Sequence, residues 1–423
     1  MMRLDFGKPT QEKEQAFAHI PRTPPTLTEL LCQIIMKLSD LGRALAQFLG
    51  DRKREDTMPN IQDYVLWRGD LPLERVPLCD VDALLLSYLS YMPYDHIAGD
   101  AFDEGISLRD AAQKLLEVNE RDKTPLAYNV REDRKLLAAL MESARFRDIR
   151  LVGYVNKVDP EQEEQFAAVT YLLGEGRAFV AFRGTDNTVV GWKEDFNMAF
   201  QYPVPAQVSA AEYLKKVASL WDGPILLTGH SKGGNLAVYA AMNAEDEIKD
   251  RVERIYSLDG PGFPEEVVKS FEYASVSDRI VKIVPDSSVV GMVFETPERC
   301  VVVKSDVDGI MQHFAFSWQM HGGEFAKAED VADSSVVFNK SLNGWLTGLS
   351  KEQREHAVDA LFSVLEASGA GSISAIVAAG PKVIPEMLGT YVGLSSADRH
   401  NINQALVILL QAALARNPKV QRK

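Results

Sequence analysis

Ten residues near the middle of the chain narrow its fold more than any other stretch: Ile225-Leu-Leu-Thr-Gly229-His230-Ser231-Lys232-Gly233-Gly234. The leading apolar run reads as a buried strand, and the Ala-rich stretch 235–244 behind it reads as a helix. Between them, G-x-S-x-G has the spacing of a nucleophile elbow, in which a serine sits on a strained strand-to-helix turn. That turn leaves almost no room for side chains two residues to either side, a need that Gly229 and Gly233 meet. Gly234 lets the helix approach the sheet. The turn aims the Ser231 Oγ outward and sets the Lys232 N–H at a helix N-terminus, where an oxyanion is stabilised.

The surrounding pattern fits an α/β fold. Strand signals fall at 149–155, 166–173, 177–182, 224–228, 254–258 and 279–284, and helical periodicity at 80–92, 107–119 and 208–220. Strands alternating with helices imply a mostly parallel sheet covered by helices on both faces. The last ninety residues turn helical (346–366, 382–390, 396–415), with a Gly/Ser/Ala-rich joint at 367–375. Residues 1–57 differ: a polar stretch ends in Pro21, Pro24 and Pro25, and an amphipathic pattern then places Leu30, Leu31, Ile34, Ile35 and Leu38 on one helical face. Three regions are therefore expected: a partly disordered N-terminal extension with one helix (1–57), an α/β domain (58–345) and a helical C-terminal region (346–423).

With 423 residues, 46% of them hydrophobic, the chain can bury a large core. Its net charge of −14 argues against nucleic acid, whose binders carry a basic stripe. Cys32, Cys79 and Cys300 are far apart and form no CxxC pair, so neither a disulfide framework nor a cysteine-rich metal site is expected. Clustered His/Asp metal-ligand spacing is also missing, and no metal or cofactor is expected. No charge-free apolar run reaches the ~18 residues of a spanning helix, and nothing at the N-terminus resembles a signal peptide. The expectation is a soluble, cytoplasmic protein, with peripheral membrane contact left open.

A second motif supports the elbow. Phe179-Val-Ala-Phe182-Arg183-Gly184-Thr185-Asp186 runs from an apolar strand into a turn, forty-six residues before Ser231. In this topology the turn lies near the elbow, and Thr185 can supply a backbone N–H and a hydroxyl to a developing oxyanion. Trp192 and Asp195 follow. Together, Phe-Arg-Gly-Thr, W-x-x-D and GHSxGG resemble the class 3 lipases, α/β-hydrolases that include fungal triacylglycerol lipases. YVLWRGDLPL, VDALLLSYLSYM and GHSKGGNLAVYAA more closely resemble a bacterial group of uncharacterised lipase-like proteins. The resemblance covers roughly residues 58–365. It implies an α/β-hydrolase fold, Ser231 as the nucleophile and Thr185 in the oxyanion hole. The chain departs from the lipase pattern at Lys232, where leucine is usual, which bears on any purely apolar substrate.

A nucleophilic serine needs a base, and the base needs an acid to hold its tautomer. In α/β-hydrolases these follow in the order serine, acid, histidine. Of seven histidines only His313, His321, His356 and His400 follow Ser231. His313, in an apolar loop after a strand-like run, is the leading base, with His321 behind it. His230 reads as a packing residue, because adjacent elbow residues point apart. Asp286 closes the run 279–285 at a strand's C-terminal end and resembles the lipase acid; Asp259, before Gly260 and Pro261, is its rival. The expectation is a serine hydrolase of lipase or esterase type acting on an acyl ester or lipid-like substrate, with Ser231, Asp286 and His313 as catalytic residues. Thr185 and Lys232 form the oxyanion hole. The other reading is a catalytically silent binding or scaffolding protein on the same fold. Residues 186–206 read either as a lid or as ordinary core. The Lys232 side chain reads either as a holder of an anionic substrate group or as a solvated residue at a helix start.

Overall fold

The computed structural model describes residues 58–414. The extension at 1–57, with its expected amphipathic helix, lies outside the described residues. Two helices open the described residues, α1 (Ile61–Arg68) and α2 (Asp80–Leu89), followed by the short strand β1 (Ile106–Ser107). Helices α3 (Leu108–Asp122) and α4 (Val130–Glu142) lead into strands β2 (Arg150–Asp159), β3 (Glu164–Leu173) and β4 (Arg177–Phe182). After α5 (Val189–Asn197) and α6 (Pro205–Leu220) come β5 (Ile225–His230), α7 (Lys232–Met242), β6 (Val252–Leu258), β7 (Ile280–Pro285) and β8 (Cys300–Val303). Five helices finish the described chain: α8 (Asp333–Thr347), α9 (Lys351–Glu366), α10 (Ile373–Ala379), α11 (Ile384–Gly393) and α12 (Ser396–Leu414).

The eight strands form one sheet in sequential order. β1 to β4 pair antiparallel, and β4 to β8 pair parallel. The mostly parallel sheet is therefore present, with an antiparallel edge that carries its N-terminal strands. Period-two alternation sends side chains to two separate cores. Phe179, Ala181, Leu226 and Tyr256 pack on one face beneath α2 and α4, against Leu84 and Leu137. Ala178, Val180, Phe182, Leu227 and Ile255 pack on the other, against Leu214 of α6 and Leu236 of α7. Strands buried on both faces favour apolar residues on both sides, as Ala178–Phe182 and Ile225–Leu227 show.

Several boundaries differ from the sequence expectation for local reasons. α4 was not foreseen; Asn129 caps it by accepting from the Glu132 N–H at 3.2 Å, and Leu136, Leu137 and Leu140 form its buried stripe. The expected single helix at 346–366 is two helices. Ser350 accepts from the Gln353 N–H (3.2 Å) and its own N–H donates to Gln353 Oε1 (2.8 Å), a capping box that starts a new helix. The expected domain boundary at 345 consequently falls inside α8. Ser107 does cap α3, accepting from the Asp110 N–H at 3.0 Å.

Candidate active site

Ser231 sits between β5 and α7 with φ 59° and ψ −135°, outside the regions an L-residue normally occupies. A non-glycine residue in such a conformation costs on the order of 1–3 kcal/mol and persists only when its surroundings fix it. Here they do. The Ser231 N–H donates to the Leu258 carbonyl (3.0 Å), and its carbonyl accepts from the Gly234 N–H (2.9 Å). A Cβ on Gly229 would lie 2.0 Å from the Gly233 carbonyl, and one on Gly233 would lie 2.1 Å from the Phe182 oxygen. The turn is closed by backbone on both sides, so only glycine fits at either position.

His313 ends a 3₁₀ turn, Gly309–His313. Its Nδ1 lies 2.6 Å from Asp259 Oδ2. Asp259 closes β6 at φ 47° and is fully buried. Its other oxygen accepts from Ser288 Oγ (2.5 Å) and the Gly291 N–H (3.1 Å). Burial works against its charge, but the hydrogen bond and charge of His313, with help from Ser288, hold the carboxyl below the usual carboxylate range.

Asp286, the expected acid, is engaged elsewhere. Its Oδ1 accepts from Gln312 Nε2 (2.8 Å) and Ser287 Oγ (3.2 Å), and its N–H is bonded to the Val303 carbonyl. The residue it holds is the neighbour of His313, not His313 itself. Both aspartates close parallel strands, but β6 lies beside β5, which leads into Ser231, and β7 is one strand further out. His321 is exposed in a two-residue strand pairing with 324–325, and His356 and His400 are exposed on helices.

His230 is more than packing. Its Nε2 donates to the His313 carbonyl at 2.7 Å, since a carbonyl only accepts. That leaves Nδ1 to accept from the Tyr91 hydroxyl at 3.2 Å. The two imidazoles lie 4.4 Å apart, tilted by 34°. Burial pushes the His230 pKa down to about 3, so the ring is neutral at ordinary pH.

The turn after β4 abuts the elbow: a Cβ on Gly184 would come within 3.0 Å of Ser231 Cβ. Thr185 donates its hydroxyl to Asp195 Oδ2, and its carbonyl accepts from the Tyr128 hydroxyl at 3.0 Å. Burial pushes Asp195 up to about 6, with the Lys232 charge opposing.

Neither reading of the Lys232 side chain matches the structure. It is 1% exposed, and its ammonium donates to Gln165 O (2.9 Å), Gln165 Oε1 (3.1 Å) and Glu194 Oε2 (2.8 Å). Glu194, a fully buried carboxylate that sequence reasoning missed, also accepts from the Gln165 and Ala206 N–H groups at 3.0 and 2.7 Å. It pins α5 in place. Residues 186–206 also pack outward, where Phe196 meets Phe362 of α9 at 5.6 Å between ring centres, beside Val189 and Val358. The segment is packed on its inner side against the sheet and α9, with Trp192 and Tyr202 exposed.

Among the described residues no group of His, Cys, Asp and Glu is arranged to hold a metal ion, and no helix is long and apolar enough to cross a membrane. The Mbeg1-like family model matches residues 140–363, more than half of the chain. The chain belongs to the Mbeg1-like family. Within this Mbeg1-like protein, every residue of the elbow and of the His313–Asp259 pair falls inside the matched region, whereas Tyr91, Tyr128 and α10–α12 fall outside it. No curated protein matches the chain. Among solved structures it is similar to the crystal structure of M37 lipase, with 17% identity over 51% of this chain and 70% of that one, at a TM-score of 0.32. It is also similar to the Rhizomucor miehei lipase propeptide complex, with 16% identity over 37% and 57% of the two chains, at a TM-score of 0.29. At these scores the likenesses carry no weight for the site, which stands on its own geometry.

Proposed function

We propose that this Mbeg1-like protein is a serine hydrolase of the α/β-hydrolase type that cleaves carboxylic esters, with a lipase- or esterase-like substrate carrying an acyl group. The observation that carries the reading is the pairing of a strained, glycine-flanked Ser231 with a 2.6 Å His313–Asp259 contact at the ends of adjacent parallel strands. Ser231 Oγ attacks the ester carbonyl as His313 Nε2 takes its proton. Asp259, in place of the expected Asp286, holds the imidazole with Nε2 free for that proton and stabilises the imidazolium that forms. The carbonyl oxygen becomes an oxyanion held by the Lys232 and Thr185 N–H groups. When the tetrahedral intermediate collapses, His313 returns the proton to the leaving alcohol, and the ester C–O bond breaks to leave an acyl-serine. Water then repeats the sequence and releases the acid.

Above about pH 6 Asp195 is ionised and accepts the hydrogen bond from the Thr185 hydroxyl, which leaves the backbone N–H as the Thr185 donor assigned to the oxyanion in this reading. Localisation in the cytoplasm belongs to the same proposal. The test is a fluorophosphonate probe applied to wild type, Ser231→Ala and His313→Ala, with the label located by peptide mapping. Labelling at Ser231 that both substitutions abolish supports the reading. A folded wild type that resists the probe with and without detergent, and releases no p-nitrophenol from p-nitrophenyl butyrate, overturns it in favour of a silent binding protein.

A further inference from the structure

The residue next to the nucleophile is a lysine whose charge is buried, and nothing in the triad requires it. The ammonium of Lys232 has three protons, and Gln165 O, Gln165 Oε1 and Glu194 Oε2 accept from it, all within 3.1 Å. None is left over for a substrate anion. Glu194 has no exposed surface and spends both oxygens, on Lys232 and on two backbone N–H groups. One carboxylate on α5 thus ties together β3, the first turn of α6 and the first residue of α7. The next residue, Asp195, holds the Thr185 hydroxyl; its Oδ1 has no hydrogen-bond partner among the described residues and lies 3.7 Å from Lys232 Nζ.

We propose that this buried cluster positions both walls of the oxyanion site, with Lys232 and Glu194 as its positioning residues. The inference rests on the hydrolase reading above. One wall is the backbone N–H of Lys232 itself, whose side chain is anchored beneath α5. The other is Thr185, held through Asp195 on that same α5. A single ion pair therefore sets the separation of the two donors. It also balances charge, since the buried carboxylate of Glu194 and the partly buried one of Asp195 would oppose a developing oxyanion beside them, and the ammonium between them offsets that repulsion. A buried pair is weak evidence for stability, because well-packed apolar residues often replace one without loss, whereas breaking only one half leaves an unpaired charge. Its position against both donors gives it a reason to be retained.

The experiment compares wild type, Lys232→Met/Glu194→Gln and Thr185→Val in p-nitrophenyl butyrate hydrolysis. Inhibition by a trifluoromethyl ketone, whose adduct carries an oxyanion, is measured alongside. The double variant removes both charges together, and Thr185→Val is isosteric and removes only the tether to Asp195. A misplacement of about 1 Å costs about 100-fold in rate. The expected result for the double variant is a kcat about 100-fold lower with KM within about threefold, and ketone affinity falling in step with kcat/KM. Thr185→Val should lose kcat about tenfold with KM unchanged. A folded double variant with wild-type kcat and ketone affinity overturns the positioning role while labelled wild type leaves the hydrolase reading standing. If the double variant does not fold, Thr185→Val decides: wild-type kcat and ketone affinity there overturn the role. Wild type that neither labels nor hydrolyses overturns both readings together.

Discussion

His230 is held neutral beside His313, and acid unfolding puts a number on that. Its pKa is pushed from 6.5 down to about 3, chiefly by burial and secondly by the His313 charge. The unfolded chain takes up this proton near pH 6.5, but the folded chain resists until about pH 3. The unfolded state therefore binds more protons in that window, and stability falls as pH drops through it. At about 1.36 kcal/mol per pKa unit, the contribution between pH 7 and pH 5 is about 2 kcal/mol in favour of unfolding. Two carboxyls, one buried and one partly buried, titrate in the opposite sense. Asp133 and Asp195, raised mainly by burial to about 7 and about 6, take protons first in the folded state, so acidification favours the fold through them. Those contributions cancel when wild type is compared with His230→Gln, whose amide can still donate to the His313 carbonyl. Urea unfolding of both proteins at pH 7 and pH 5 is the assay. Wild type should lose about 2 kcal/mol more than the variant between the two pH values. An equal loss in both would refute the argument that His230 is buried as a neutral base.

Three further outcomes follow from the same geometry. Asp259→Asn should lower kcat for p-nitrophenyl butyrate by about 10⁴-fold through the wrong imidazole tautomer, while Asp286→Asn should keep kcat within about tenfold, because it acts only through Gln312. Phe362→Ala should cost about 3–5 kcal/mol in urea unfolding, since its ring is buried against Phe196 of α5; a cost under about 1 kcal/mol would mean that α9 does not hold that segment. Gly233→Ala should destabilise the fold by more than about 4 kcal/mol, because the added Cβ would lie 2.1 Å from the backbone oxygen of Phe182; a melting temperature equal to wild type would contradict the elbow geometry.

The strands expected at 177–182 and 224–228 announce themselves by short apolar runs, Ala178–Phe182 and Ile225–Leu227, since a strand covered on both faces has little polar side to show. The strand–Gly–x–Ser–x–Gly–helix pattern carries its own steric argument over a few residues. Helix α4 was missed although Leu136, Leu137 and Leu140 are spaced for it, because charges in its first turn hide the stripe. The division of 346–366 by Ser350 turns on a cap that competes with an otherwise continuous helical pattern.

The sequence by itself determined the α/β alternation and the glycine-flanked turn at Ser231, since each rests on contacts between near neighbours. Tertiary structure alone decided the partners. Asp259 and Asp286 look alike in sequence, each closing an apolar strand, and only the order of strands brings the first to His313 and leaves the second to Gln312. Lys232 looks like a solvated helix start until Glu194, 38 residues earlier, is placed against it in the same buried layer. A charge is stable there only when paired and hydrogen-bonded, and that pairing depends on how α5 packs, which no local pattern encodes.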